Sequence, residues 1–290
     1  MNTKHPDLGD HPSAALRVPP GFSIADYDKH STPGFDGDKK AGERRMESRG
    51  RDLAVLQEQL FAEGRSGGHR SLLLVLQGMD TAGKGGIVRH VIGMVDPQGV
   101  DHASFAAPTK EELGHHFLWR IERKLPSAGS IGVFDRSHYE DVLVAKVREF
   151  APAEEIEDRY GEINDWERRL IDQGITIVKA TLLVSLDEQL DRLESRLHRP
   201  DKYWKYSVSD LDDRARWTEF RDAYEAMFDR TSTDAAPWHV IPADHKWFAR
   251  LAITELLCEA LEGMNLEWPS AAFDVDAERV RIEKLREAGD

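Results

Sequence analysis

Short, uninterrupted apolar runs alternate along this chain with longer segments whose apolar residues recur every three or four positions. The first pattern predicts strands buried on both faces, and the second predicts amphipathic helices. Met46, Leu53, Leu56 and Leu60 sit at helical spacing within residues 43–63, and Gly64 is a stop signal. Buried strands are predicted at 72–77, at 130–134, within 176–186 and at 238–241. Helices are predicted over 87–95, 109–125 (between Pro108 and Pro126), 152–173, 187–197, 211–230 and 247–264. Residues 277–288 read as a charged tail helix, and 198–208 as a basic, aromatic loop. Strands alternating with helices predict an α/β fold, with a parallel sheet covered on both faces. Ligands then bind beyond the carboxyl ends of the strands.

Residues 1–42 are rich in Pro, Gly, Asp and Lys and break this rhythm. They are expected to form an irregular arm, partly disordered or wrapped on the body. Residues 43–268 are expected to hold one catalytic domain, with 269–290 as the tail. The full 290 residues suffice for one large α/β domain or two small ones. With 39 Lys and Arg against 53 Asp and Glu, the net charge is −14. That argues against a general binder of nucleic acid or of anionic membranes, though a local basic groove can sit in an acidic body. No run approaches the roughly 20 apolar residues of a membrane helix. Residues 1–22 contain no apolar stretch of the signal-peptide kind. The one cysteine, Cys258, lies in an apolar helical run and reads as a core residue. A lone thiol suits a reducing compartment, so a cytoplasmic location is expected.

The candidate chemistry begins where the first strand ends. Gly78-x-x-x-x-Gly83-Lys84 is a phosphate-cradling loop, set between an apolar run and a run of helix formers. Its backbone N–H groups, from Gly78 and Met79 through Thr81, Ala82 and Gly83 to Gly85 and Gly86, converge on phosphate oxygens. Lys84 adds a point charge, and the following helix turns its N-terminus to the same anion. Gly85 stands where many such loops carry the Ser or Thr that holds Mg²⁺. The metal then needs another anchor, and Asp80 inside the loop is the candidate. An acid beside phosphates is repulsive unless a cation lies between them.

The second strand ends in Asp135, which would orient Mg²⁺ directly or through water, followed by Arg136, which would bridge phosphates. An Asp at a strand end also caps a following helix; the phosphate loop upstream favours the metal. Ser137, His138 and Tyr139 are adjacent in the chain and point apart, so they form no nucleophilic triad. A third group gathers Arg192, Arg196, Arg199, Lys202 and Lys205 around Tyr203, Trp204 and Tyr206. Part of it is a solvated face with Asp201 and Asp210 as partners. The spacing of its arginines suits one helix face, and a closing lid at about 190–230 is its expected role. Arg120 belongs to a fourth basic group, with Lys110, Arg123 and Lys124.

These residues lie in long strings that resemble the type-2 polyphosphate kinase family, the polyphosphate:nucleotide phosphotransferases. The strings are Arg17-Val-x-Pro-x-Phe22, Gln77-Gly-Met-Asp-x-Ala-Gly-Lys-x-Gly86, the run from Asp135 to Glu140, Asp201-Lys-x-Trp-Lys-Tyr206 and the run from Ala236 to Trp247. The resemblance implies a three-layer α/β/α P-loop kinase fold with a helical lid. It implies Mg²⁺-dependent exchange of phosphate between inorganic polyphosphate and nucleotides such as AMP, ADP and ATP. By resemblance Asp80 and Asp135 form the acidic pair that holds metal, Lys84 and Arg136 handle phosphates, the lid cations grip polyphosphate, and Arg120 and Glu140 serve the nucleotide. Dimers or tetramers are implied as well. The strings look most like the subgroup that takes both nucleoside mono- and diphosphates, except that this subgroup usually has Asp where the chain has Gly85. Two other functions compete: an ATP-dependent nucleoside or nucleotide kinase on the same fold, and a polyphosphate or nucleotide binder without turnover.

Overall fold

A computed structural model describes residues 7–287. The arm opens with α1 (Pro12–Leu16) and runs on to the long helix α2 (Lys39–Arg65), which Asp38 caps by accepting from the Ala41 amide. Then follow β1 (Ser71–Gln77), α3 (Lys84–His90), β2 (Val100–Ser104), α4 (Trp119–Glu122) and β3 (Ile131–Asp135). The second half carries α5 (Val144–Val147), α6 (Ala153–Asp172), β4 (Ile175–Leu183), α7 (Leu186–Leu197), α8 (Ser209–Ala215) and α9 (Trp217–Thr231). It closes with β5 (Trp238–Pro242), α10 (Lys246–Glu262) and α11 (Val275–Glu287).

Among the described residues the strands form one five-stranded sheet in the order β2-β3-β1-β4-β5, every pairing parallel. Every residue of β1 is buried. Leu72, Leu74 and Leu76 pack into a core shared with α2 and α10, while Leu73 and Val75 pack into a second core with α6 and α9. This period-2 division of an apolar strand between two faces is what a covered parallel sheet requires. The chain leaves β1 for β2 and β3 on one side and then crosses to β4 on the other. The order therefore reverses beside β1, and its carboxyl end is where a ligand crevice opens. Leu76 pairs in register with Asp135, so the phosphate loop and the acidic strand end emerge side by side.

Several elements differ from the sequence pattern, each for a local reason. Strand β2 was not expected, because only Ala103 in Val-Asp-His-Ala-Ser is buried and an edge strand carries little apolar signal. The helix predicted over 109–125 is instead a 3-10 turn at Glu112–Gly114 and the short α4. Thr109 and Glu112 close a single turn on each other, through Thr109 N to Glu112 Oε2 (2.7 Å) and Glu112 N to Thr109 Oγ1 (3.2 Å). The helix predicted over 211–230 breaks at Arg216 into α8 and α9. The loop 198–208 contains a 3-10 turn at Pro200–Lys205, and the helix after the phosphate loop starts earlier than predicted, at Lys84.

From residue 7 the arm is wrapped on the body. Leu8, Ala15 and Leu16 enter the first core, Val18 and Ile24 the second, and Arg17 bridges to His239 on β5. Helix α11 buries none of its residues. The expectations for residues 1–6 and 288–290 lie outside the described residues. Among the described residues no helix is long and apolar enough to cross a membrane.

Candidate active site

The phosphate loop owes its shape to glycine at two points. Gly78 has φ +148° and Gly83 φ +118°, both in the region that side chains avoid. A Cβ at Gly78 would also lie 2.7 Å from the Leu182 carbonyl oxygen on the neighbouring strand. The lysine at the start of α3 folds back over the loop, with Lys84 Nζ 2.6 Å from the Gly78 carbonyl oxygen. Burial pushes its pKa down, helped by Arg136 and opposed by Asp80, Asp135 and Glu140. A Cβ at Gly85 would meet open space, so glycine there is not a packing requirement.

Beyond β3 the chain turns sharply, with Arg136 at φ +65°. Its amide donates to the Leu76 carbonyl (3.1 Å), and Nη2 reaches Asp80 Oδ1 at 2.7 Å. The loop carboxylate and the strand-end arginine are thus paired across the crevice. With its amide oriented to satisfy both neighbours, Gln77 donates to Glu140 Oε1 (3.0 Å) and accepts from Ser137 Oγ (3.0 Å). Burial raises the Glu140 carboxyl above its ordinary range against the opposing pull of Arg136 and Lys84.

Two clefts meet at this pair. The first, about 860 Å³, runs from the phosphate loop under α7 and the Pro200–Lys205 turn. Asp80, Thr81, Gly83, Lys84, Gly85, Gly86, Asp135 and Arg136 line its floor. Arg196, Arg199, Lys202, Trp204, Lys205 and Lys246 line its roof and rim. Lys205 lies over the Trp204 ring at 4.9 Å, and its pKa is lowered by burial and by the crowding of Lys202, Arg196 and Arg89. Such crowding of like charge is relieved by a polyanion.

The second cleft, about 650 Å³, opens on the other side of Asp80 and Arg136. Gly78, Met79, Arg120 and Glu140 line it together with Phe105, Leu143, Val144, Phe150, Phe220 and Tyr224. Arg120 is buried, bonding the Ala106 carbonyl (2.8 Å) and approaching Asp141 (3.5 Å). Arg148 and Asp213 form an ion pair on its lining that ties α8 to the body after α5.

The predicted site residues therefore converge, with one correction of role. Arg192 was expected among the lid cations, yet it is only 7% exposed and all its donors are committed. Nε bonds Glu188 (2.6 Å), Nη1 bonds the Thr81 and Ala82 carbonyls (2.9 and 3.0 Å), and Nη2 bonds those of Ala243 and Asp244 (2.5 and 3.2 Å). A guanidinium has five N–H donors, so none remains for a substrate; Arg192 borders the first cleft, but its donors brace the phosphate loop. Beside it Gln189 donates to the Asp80 carbonyl (3.2 Å) and accepts from Arg214 on α8 (3.0 Å). Sequence reading missed Gln189, Lys246, Arg148, Phe220 and Tyr224. Lys246 alone carried a signal, since it lies inside the string 236–247.

Asp80 and Asp135 both border the first cleft, in reach of whatever the loop amides hold. Mg²⁺ keeps several waters and takes one or two carboxylates plus substrate phosphates. The two side chains offer that donor set, so the site fits the ion.

The family model for polyphosphate kinase 2 matches residues 36–269. The chain belongs to the polyphosphate kinase 2 family. It is 41% identical over 262 residues to the AMP/ADP-polyphosphate phosphotransferase of Meiothermus ruber, covering 90% of this chain and 96% of that one. It is 39% identical over 229 residues to the ADP-polyphosphate phosphotransferase of Rhodopseudomonas palustris, covering 75% and 78%. The crystal structure of polyphosphate kinase 2 from Arthrobacter aurescens TC1 superposes with a TM-score of 0.91 at 55% identity, covering 94% of this chain and 96% of that one. The sheet and its covering helices are accordingly those of the P-loop kinase fold.

Proposed function

We propose that this chain transfers the terminal phosphate of inorganic polyphosphate to AMP, to ADP or to both, and that Asp80 and Asp135 are the residues that would hold Mg²⁺ for the reaction. The observation that carries the reading is the meeting of two unlike clefts at one Asp80–Arg136 pair. The cationic cleft suits a long, uniformly charged chain. The apolar cleft suits a base and ribose, with Arg120 and Arg136 near their phosphates. The names of the relatives from Meiothermus ruber and Rhodopseudomonas palustris support the same pair of substrates.

The chemistry asks little covalent work of the protein. An oxygen of the nucleotide's terminal phosphate, already deprotonated at neutral pH, attacks the terminal phosphorus of polyphosphate in line. One phosphoanhydride P–O bond forms as another breaks, and the shortened polyphosphate leaves with the bond electrons. Catalysis is then positioning and neutralisation of charge. Lys84 and the loop amides hold the transferred group, Arg136 spans both clefts, and Asp80 and Asp135 position metal rather than accept a proton. Bound Mg²⁺ would neutralise phosphate charge. Because the anhydrides made and broken are alike, direction follows concentration.

The test is an assay of the purified protein with Mg²⁺, long-chain polyphosphate and AMP or ADP, read by chromatography. ATP from ADP, or ADP from AMP, is the expected result, abolished by a chelator and restored by Mg²⁺. ATP consumption with a nucleoside, and no product from polyphosphate, would overturn the reading. The ratio of the AMP and ADP rates assigns the acceptor preference that Gly85 leaves open.

A further inference from the structure

Behind the apolar cleft lies a buried polar cluster that substrates do not reach. Strand β4 presents Ile177 and Leu183 to the second core, and between them it presents Lys179, fully buried. All three ammonium donors of Lys179 are used, on Glu167 Oε2 (2.7 Å), Tyr139 Oη (2.9 Å) and the Thr231 carbonyl (2.7 Å). Tyr139 in turn donates to Glu167 Oε1 (2.7 Å), and His138 Nε2 lies 3.4 Å from the same oxygen. Tyr139, His138 and Glu167 are each at most 2% exposed. The Thr231 hydroxyl accepts from the Trp238 indole (2.9 Å) and donates to the Met227 carbonyl (2.6 Å), so the group that receives Lys179 is itself pinned.

A buried ion pair is a costly way to gain stability, because desolvating both charges offsets their attraction. Apolar residues would fill this core at less cost. What the pair provides is direction, since each hydrogen bond joins a different element. Glu167 is on α6 and Thr231 ends α9, while Tyr139 lies in the 3-10 turn His138–Asp141, which Ser137 caps and joins to Arg136. The turn and α9 are also two walls of the apolar cleft, through Glu140 and Asp141 on one and Phe220 and Tyr224 on the other. We propose that the Lys179–Glu167–Tyr139 cluster is a positioning device that sets the distance and orientation between these two walls, and so the seat of the nucleotide. This rests on the reading of that cleft as the acceptor site. Tyr139, Glu167 and Lys179 are positioning residues; none touches a substrate.

The test is Tyr139→Phe, which removes one oxygen, keeps the ring in its packing and leaves the ion pair in place. Steady-state constants are measured for each substrate in parent and variant, normalised to folded protein by circular dichroism. The KM for the nucleotide is expected to rise and kcat to fall, together about tenfold in kcat/KM, as a slight misplacement of a reactant predicts. The KM for polyphosphate should stay unchanged, because the cationic cleft shares neither wall. Glu167→Gln is the second variant and should show the same one-sided split. Unchanged constants, or an equal loss for both substrates that follows the folded fraction, would overturn the proposal, since a merely structural role does not select one substrate. A parent chain that transfers nothing from polyphosphate overturns the functional reading and this inference with it. An active parent with a Tyr139→Phe variant that matches it overturns this inference alone.

Discussion

The two clefts share Asp80, Arg136, Phe105, Ala106 and Asp210 and differ in the rest of their lining, the first rich in Lys and Arg and the second in apolar side chains. The cationic one is roofed by long, mostly exposed side chains, among them Arg199 and Trp204 at the rim. It has no single shape to fit, which suits a flexible polyanion of any length. The apolar one is walled by α9 and by the residues around Arg136, braced from within by buried polar groups. It can hold a rigid base in one place. On the proposed reading charge density would recognise one substrate and shape the other, so perturbations of charge and of shape should separate them.

The largest effect should fall in the phosphate loop, beside the Asp80–Arg136 pair. Lys84→Ala is expected to lower kcat by about 10²–10³ with either nucleotide, the usual cost of losing a donor aimed at developing charge. Steady-state kinetics at saturating substrates checks this, and unchanged turnover would end the enzyme reading. Next comes the cationic cleft by itself. The double change Lys202→Ala and Lys205→Ala should raise the KM for polyphosphate about tenfold and leave the nucleotide KM unchanged. It should also flatten the salt dependence of polyphosphate binding, because fewer counterions are released. A parallel rise in both KM values would erase the division between the clefts.

Shape is probed by Phe220→Ala. Loss of an apolar wall should raise the nucleotide KM about fivefold and spare polyphosphate. Calorimetric titration with a nucleotide, with polyphosphate as the control, would resolve it. The smallest effect concerns stability. Burial raises the Glu140 carboxyl in the fold above its value in the unfolded chain. Its ionised form therefore costs stability above that raised pKa, and the cost disappears as pH falls to the ordinary glutamate range. Glu140→Gln is expected to raise Tm by about 2 °C at neutral pH, a gain that shrinks on acidification. Thermal unfolding at a series of pH values reads it, and a gain that grows toward acid would show the opposite sign of shift.

How much of the site was legible depended on how many chain segments build it. The run from Gly78 to Gly86 is nine consecutive residues, and its shape is made by their own backbone, so spacing alone made the candidate cradle legible. Asp135 and Arg136 were legible because an apolar strand ends there. Arg192 shows the limit. Helical spacing placed it with Arg196, yet the structure turns it inward onto four carbonyls of two separate loops. Phe220 and Tyr224 read from sequence as one face of an ordinary helix, and nothing local says that this face borders a cleft. Strand β2 was missed because one buried residue makes no pattern.

By itself, then, the sequence determined the alternation of strands and helices, the phosphate cradle, the acidic pair and the family likeness. These are properties of contiguous residues, written in periodicity and in short-range backbone geometry. Only the tertiary structure decided that there are two clefts, that they differ in character and that they meet at Asp80 and Arg136. Only it showed which cations keep donors for a ligand and which, like Arg192 and Lys179, have theirs consumed holding the frame. The physical reason is that a side chain's role is set by the partners that satisfy it. For a buried charge those partners come from segments distant in the chain, and the residue types alone do not name them.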